Sequence, residues 1–292
     1  MNGYPGNTAR FSNFFAGECI DSHQHFWKYD ILRHSWINDD MQEIRKDFMP
    51  EDLYPILEDS GVNGTVLVQV DQNDAENEFQ LTNAQKFDYI RGVVGWVDLQ
   101  ASNIEDRLVY YSQFEHMKGF RHILQGEADR ALMLKPAFKH GISLLAKYNY
   151  TYDILIFPDQ LQYALQLADE FPGQPFVIDH AAKPYIKAGK IDEWKKDMQL
   201  IARLPNVYCK ISGMVTEADF KLWNKAALVP YLDAVVEAFG MKRIMFGSDW
   251  PVCLVATTYK HWVTLLREYF EPFSQAEKEA FFGANAAAFY HL

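Results

Sequence analysis

Two histidines, His23 and His25, stand one residue apart in the stretch "IDSHQHFW", at the end of an apolar β-rich run. Residues i and i+2 of a strand share a face, so both imidazoles are expected on one side. Two further groups carry related chemistry: His180 in "VIDHAAKP" and Asp249 in "FGSDWP". Imidazoles with a carboxylate support hydrolysis in two ways. A divalent metal such as zinc, bound by His23, His25, His180 and Asp249, would lower the pKa of a water. Without metal, Asp249 would take the water's proton while Arg121 and the histidines stabilise a tetrahedral oxyanion. The sequence has no phosphate-cradling glycine loop and no GxSxG elbow, so phosphoryl transfer and serine-hydrolase chemistry are not indicated.

These groups need a scaffold that gathers them, and the chain has one pattern throughout. Eight apolar β-rich runs begin near residues 19, 63, 89, 117, 151, 175, 206 and 243. Runs this apolar suit strands covered on both faces. Between them lie stretches with helix punctuation. "MPEDLYPILEDSG" has Pro50 near its start and Gly61 at its end, "PDQLQYALQLADEFPG" stops at Pro172-Gly173, and "DEWKKDMQLIARLP" ends before Pro205. Eight βα units without a linker, a repeat or a GxGxxG after the first strand predict an α/β fold: a single-domain (β/α)8 TIM barrel spanning 1–292, with residues 1–18 as an N-terminal extension.

In such a barrel the C-terminal strand ends form the catalytic face. The runs end there in His23 and His25, Gln69, Trp96 and Asp98, Arg121-His122, His180 with Lys183 beyond, Lys210 and Ser212, and Asp249-Trp250. Adjacent residues on a strand point oppositely, so Arg121 is expected in the mouth and His122 is the second choice. Gln69, Asp153 and Lys183 are further candidates for binding substrate, although Asp153 could equally close a structural ion pair and Lys183 and Lys210 could equally be solvated. Trp27, Trp96 and Trp250 would form an apolar wall around a polar centre. His34, His116, His140, His261 and His291 read as surface or helix residues.

With 292 residues, 49% of them hydrophobic, the chain can bury a large core. Its net charge of −11 is spread along the sequence, which argues against nucleic acid or an anionic membrane as a partner. Cys19, Cys209 and Cys253 are too few and scattered for a disulfide framework and read as reduced thiols. No secretory leader or membrane-spanning run is evident, so a cytoplasmic location is expected.

Taken together and in order, "DSHQHFW", "GFRH", "VIDHAAKP", "CKISG" and "MFGSDWPV" resemble the amidohydrolase superfamily, and within it the amidohydrolase-2 branch that includes sugar-acid and dicarboxylate lactonases. The resemblance runs from about residue 19 to the C-terminus. It implies a distorted barrel that opens a cyclic ester, with a small-molecule sugar lactone as its partner; association into a homo-oligomer is left open. It also implies that His23 and His25 are the first-strand pair, His180 the sixth-strand histidine and Asp249 the eighth-strand aspartate. The fifth run, "TYDILIF", lacks the histidine usual in metal-dependent members, and the fourth offers Arg121-His122 where a bridging lysine or glutamate often stands. A binuclear centre is therefore not expected, and no cofactor is expected to be required, with one divalent ion as the alternative. The competing functions are a metal-dependent decarboxylase of the same branch and a non-catalytic sugar-acid binding protein.

Overall fold

The computed structural model describes residues 17–292, so most of the expected N-terminal extension lies outside the described residues. All eight runs form parallel strands: β1 Ile20–Gln24, β2 Gly64–Val68, β3 Ile90–Gly95, β4 Met117–His122, β5 Thr151–Ile154, β6 Phe176–Ile178, β7 Val207–Ile211 and β8 Ile244–Phe246. They pair in sequence order from β1 to β8. A parallel bridge between Gln24 and Trp250 brings the two ends of the sheet together. His25 N donates to Trp250 O at 2.7 Å and Asp249 N to His23 O at 2.8 Å. The seam that closes the barrel is therefore made by the same segments that carry the first-strand histidines and the eighth-strand aspartate.

Each strand is followed by a helix: α1 Pro50–Ser60, α2 Asp74–Lys86, α3 Ile104–Tyr111, α4 Pro136–Leu145, α5 Leu161–Glu170, α6 Asp192–Ile201, α7 Lys225–Phe239 and α8 Tyr259–Phe270. Local sequence sets their ends. Pro50 occupies the first turn of α1, and Gly61 ends it at φ 63°, a left-handed cap that glycine adopts without a Cβ clash. Asn73 caps α2 by accepting from Glu76 N at 2.9 Å. Burial follows helical periodicity, as in α6, where Trp194, Met198 and Ile201 turn inward.

The main core lies between strands and helices. A second, smaller core fills the barrel's interior, where Ile20, Val66, Val68, Val94, Val177 and Met245 meet Ala286, Phe289 and Tyr290 of a C-terminal helix, Asn285–Tyr290. The expected distortion is real: pairing shifts register between β1 and β2, β2 and β3, and β3 and β4. The three cysteines are free and buried. Among the described residues, no helix is long and apolar enough to cross a membrane.

Candidate active site

The four sequence-separated groups meet at one carboxylate oxygen. Asp249 Oδ1 lies 3.2 Å from His25 Nε2 and 3.9 Å from both His23 Nε2 and His180 Nε2. The three rings crowd together, with His23–His25 and His23–His180 centroids 4.9 and 4.4 Å apart. All four residues are buried. β1 shifts register against β2 between Asp21 and Gln24, so the HxH pair sits on an irregular strand end rather than a uniform pleat.

Backbone conformation aims the other two. β6 stops at Ile178, and His180, Ala181, Ala182 and Lys183 all have φ between 49° and 56°. Non-glycine residues reach this left-handed region only at a cost, about 1–2 kcal/mol each, and such strain gathers where a fold needs a particular side-chain direction. Here it lets the adjacent residues Asp179 and His180 both reach the centre, which a regular strand would forbid. Asp249 is also left-handed, at φ 57°. Gly213, at φ 60°, closes the site from β7: a Cβ there would meet His180 Nδ1 at 2.6 Å and Asp249 Oδ2 at 3.0 Å.

Around these groups runs a buried charge network. Arg121 donates from Nη1 to Asp179 Oδ2 at 3.0 Å, and Asp179 Oδ1 faces His23 Nδ1 at 3.2 Å. Burial pushes Asp179 up, but Lys210, His23 and Arg121 together outweigh it and hold the carboxyl well below its ordinary range. Burial likewise opposes ionisation of Asp249, and His180, His25 and His23 overcome it, keeping that carboxylate ionised. Burial drives His23 well below the usual imidazole range and His180 down to about 4, so both are neutral at neutral pH.

Hydrogen bonding then fixes where the lone pairs point. His25 Nδ1 lies 2.7 Å from Val68 O, a pure acceptor, so its proton is on Nδ1 and Nε2 faces inward bare when the ring is neutral. His23 sits between two pure donors, Arg121 Nη1 at 3.3 Å from Nε2 and Lys210 Nζ at 3.1 Å from Nδ1, with Asp179 Oδ1 also 3.2 Å from Nδ1. His23 Nε2, His25 Nε2 and Asp249 Oδ1 thus converge, with the two imidazole nitrogens 3.2 Å apart and His25 Nε2 3.2 Å from the carboxylate oxygen. His23, His25 and Asp249 are placed to hold a metal ion, and the donor set of two nitrogens and one oxygen suits a zinc-like ion. The expectation that no metal is required finds no support in this arrangement, which offers three ligand atoms within reach of one ion.

Several other residues proposed from sequence have different surroundings. Gln69 is fully buried and serves Arg121: its backbone oxygen accepts from Nη2, and its side chain donates to Arg121 O at 3.2 Å. Asp153 is fully buried and paired to Lys210 at 2.5 Å, an internal ion pair rather than a substrate contact. Lys210, for which solvation was an equal expectation, is fully buried. Arg121 faces inward, as expected. His122 turns outward beside Phe138 of α4, donating to Glu127 at 2.7 Å and accepting from the Trp96 indole at 3.3 Å. The three-indole wall is not formed. Trp27 and Trp250 pack into the core against Phe48, and only Trp96 is partly exposed. Lys183 stays at the rim, paired with Glu217 at 3.3 Å.

Sequence reasoning missed Asp179, although it stands beside His180, because strand alternation assigns neighbours to opposite faces. It also missed Asp21, which ties β1 to the β8 loop by accepting from Ser248 N at 2.8 Å, His23 N at 3.1 Å and the Tyr259 hydroxyl at 3.0 Å. Nothing short of tertiary structure marks a carboxylate for such a role.

Fold and site together define a class: a (β/α)8-barrel hydrolase with an HxH pair, a sixth-strand histidine and an eighth-strand aspartate at the catalytic face. A family model described as Amidohydrolase matches residues 20–292, and the chain belongs to that amidohydrolase family. It is 37% identical over 284 residues to L-fucono-1,5-lactonase of Burkholderia multivorans, covering 94% of this chain and 96% of that protein. A crystal structure of an amidohydrolase from Burkholderia multivorans with bound zinc superposes with a TM-score of 0.92 at 36% identity, covering 94% of this chain and all of that one. The 5-carboxyvanillate decarboxylase of Sphingomonas paucimobilis, at 14% identity and a TM-score of 0.64 over 94% of this chain and 99% of that one, shares the fold.

Proposed function

We propose that this chain hydrolyses an uncharged, polyhydroxylated sugar-acid lactone, with Asp249 as the base. The enzyme class, a hydrolase of the cyclic ester of a sugar acid, agrees with the lactonase relative. One observation carries the mechanism: a single ionised carboxylate oxygen, Asp249 Oδ1, is ringed by three imidazole Nε2 atoms at 3.2–3.9 Å. A water held there loses its proton to Asp249 as it attacks the lactone carbonyl, and the proton passes to the leaving ring oxygen as the tetrahedral adduct collapses. Arg121, buried beside His23, supplies positive potential to the developing oxyanion, strengthened by the dry surroundings. One divalent ion fits the acceptors of His23, His25 and Asp249, and when bound it polarises a carbonyl and acidifies a water.

Charge balance supports the substrate class. Three cations near the centre are paired: Arg121 with Asp179, Lys210 with Asp153 and Asp179, and Lys183 with Glu217. The buried carboxylates of Asp153, Asp179 and Asp249 outnumber Arg121 and Lys210 by one negative charge. Arg121, Lys210 and Lys183 each already face a carboxylate, so a substrate whose polar groups are hydroxyls suits the centre better than the anionic substrate of a decarboxylase or a dicarboxylate lactonase. A cytoplasmic setting belongs to the same reading, supported by three free buried thiols.

The test is a panel of neutral aldonolactones and carboxylated lactones followed with a pH indicator, beside CO2 release from aromatic carboxylates. Turnover is expected with neutral five- or six-membered lactones. Preference for carboxylated lactones, or loss of CO2 with no lactone hydrolysis, would overturn the reading.

A further inference from the structure

Of the seven tryptophans, Trp27, Trp194, Trp250 and Trp262 lie in the apolar core and Trp223 packs against it. Trp96 does not: it is partly exposed and belongs to neither core. Its position is nonetheless fixed. Asn77 of α2, fully buried, accepts from Trp96 N at 2.8 Å and donates to Trp96 O at 2.6 Å, so both backbone groups of the residue are clamped. The indole N–H reaches from the end of β3 across to His122 Nδ1 at the end of β4, at 3.3 Å. His122 Nε2 in turn donates to Glu127 Oε1 at 2.7 Å. An indole that can only donate and a carboxylate that accepts thus hold the His122 ring in one orientation.

An indole stabilises a fold chiefly by burying its large apolar surface. Here that surface stays partly open while hydrogen bonds hold the residue in place. The arrangement does little for the core and preorganises a surface for a ligand. Its place says which ligand. β3 pairs with β4 so that Gly95 lies beside Phe120, which sets Trp96 level with Arg121 at the catalytic face. Val94, two residues earlier, faces the barrel's interior, so Trp96 continues that side of the strand at the rim of the mouth. His122 takes up the one indole N–H, and what remains for a ligand is the π surface. The negative face of that surface attracts slightly positive C–H bonds and disfavours a carboxylate. A sugar lactone carries hydroxyl groups around its edge and C–H bonds on its ring faces, which matches such a surface.

We propose that Trp96 is a specificity-determining residue, a platform on which the C–H face of a neutral sugar lactone stacks, and that His122, braced by Glu127, is the positioning residue that holds its ring. The proposal deepens the lactonase reading above and rests on it for the choice of ligand. Its test combines kinetics with the indole N–H signal of ¹⁵N-tryptophan-labelled protein, assigned as the signal missing in Trp96→Phe. With a neutral aldonolactone, Trp96→Leu is expected to raise KM by about five- to tenfold and to leave kcat within about twofold, the pattern of binding lost equally from ground and transition states. His122→Phe keeps a ring beside Phe138 and removes both nitrogens. It should raise KM by about threefold at near-constant kcat, and should shift the Trp96 indole signal with faster solvent exchange. An unchanged KM in Trp96→Leu overturns the platform, as does a loss confined to kcat or to the melting temperature. An unchanged indole signal in His122→Phe overturns the positioning role. If the wild type opens no lactone, the hydrolase reading fails. That case, and a Trp96→Leu that does not fold, are both decided by adding the aldonolactone to labelled Asp249→Asn protein: a shifted Trp96 indole signal supports the platform, and an unmoved one overturns it.

Discussion

Asp249 carries the chemistry because of what surrounds it. A buried aspartate on its own would hold its proton, but His180, His25 and His23 reverse that tendency and keep the carboxylate ready to accept one. Asp249→Asn fills the same volume and cannot accept the water's proton. Its turnover of a neutral lactone should fall about 10²- to 10⁴-fold, with circular dichroism and melting temperature close to wild type. A variant with near-normal kcat would move the base elsewhere. His25 illustrates how little sequence says about orientation: the "HQH" motif marks two imidazoles, but only the contact of His25 Nδ1 to Val68 O reveals that this ring turns Nε2 to the centre.

The strands place these groups, and the turns after them do the aiming. β6 and β8 are only three residues long, and the chain leaves each to enter left-handed backbone at His180 and at Asp249. β7 contributes a glycine at the same level. Gly213→Ala would require a Cβ at 2.6 Å from His180 Nδ1 in a conformation that L side chains resist. The expected result is a loss of kcat of at least about tenfold, accompanied by about 1–2 kcal/mol of destabilisation measured by denaturant unfolding. Full activity in Gly213→Ala would show that the His180 ring has room to shift without consequence. Gly247 stands in a comparable position at the end of β8, where a Cβ would meet those of His23 and Ser212, both at 2.9 Å. The glycines of "CKISG" and "MFGSDWPV" thus have a spatial reason that the motifs alone do not disclose.

The closed barrel brings ligand atoms of His23, His25 and Asp249 close enough together to hold one ion. Zinc held by His23, His25 and Asp249 would stabilise the folded state by mass action, by about 2.7 kcal/mol at a hundredfold excess over its Kd. For a chain of this size that corresponds to a rise in Tm of roughly 4 °C. Scanning calorimetry of chelator-treated protein, with and without added zinc, should show the rise in wild type and its absence in His25→Asn. An unchanged wild-type Tm would mean that a proton, rather than a metal, satisfies the three acceptors.

Alternation of eight apolar runs with eight punctuated helices left one economical solution, the (β/α)8 barrel, because each βα unit must bury a strand on both faces. The same logic pointed the ends of those runs to one face, so His23, His25, Arg121, His180 and Asp249 were legible before any coordinates. What remained hidden depends on distances across the barrel. Asp153 and Lys210 looked as suited to solvent or substrate as to each other until the sheet closed and buried both. Trp27 and Trp250 looked like a binding wall, but their indoles pack on Phe48 from a loop that sequence spacing could not bring there. Asp179 was hidden by a left-handed turn that breaks the strand's period, and Tyr290 by its place on a terminal helix remote from every motif. Periodicity is local and is written in neighbouring residues. Charge pairing, tautomers and the donor set of a metal site are properties of atoms brought together from separate strands, and only the closed barrel brings them together.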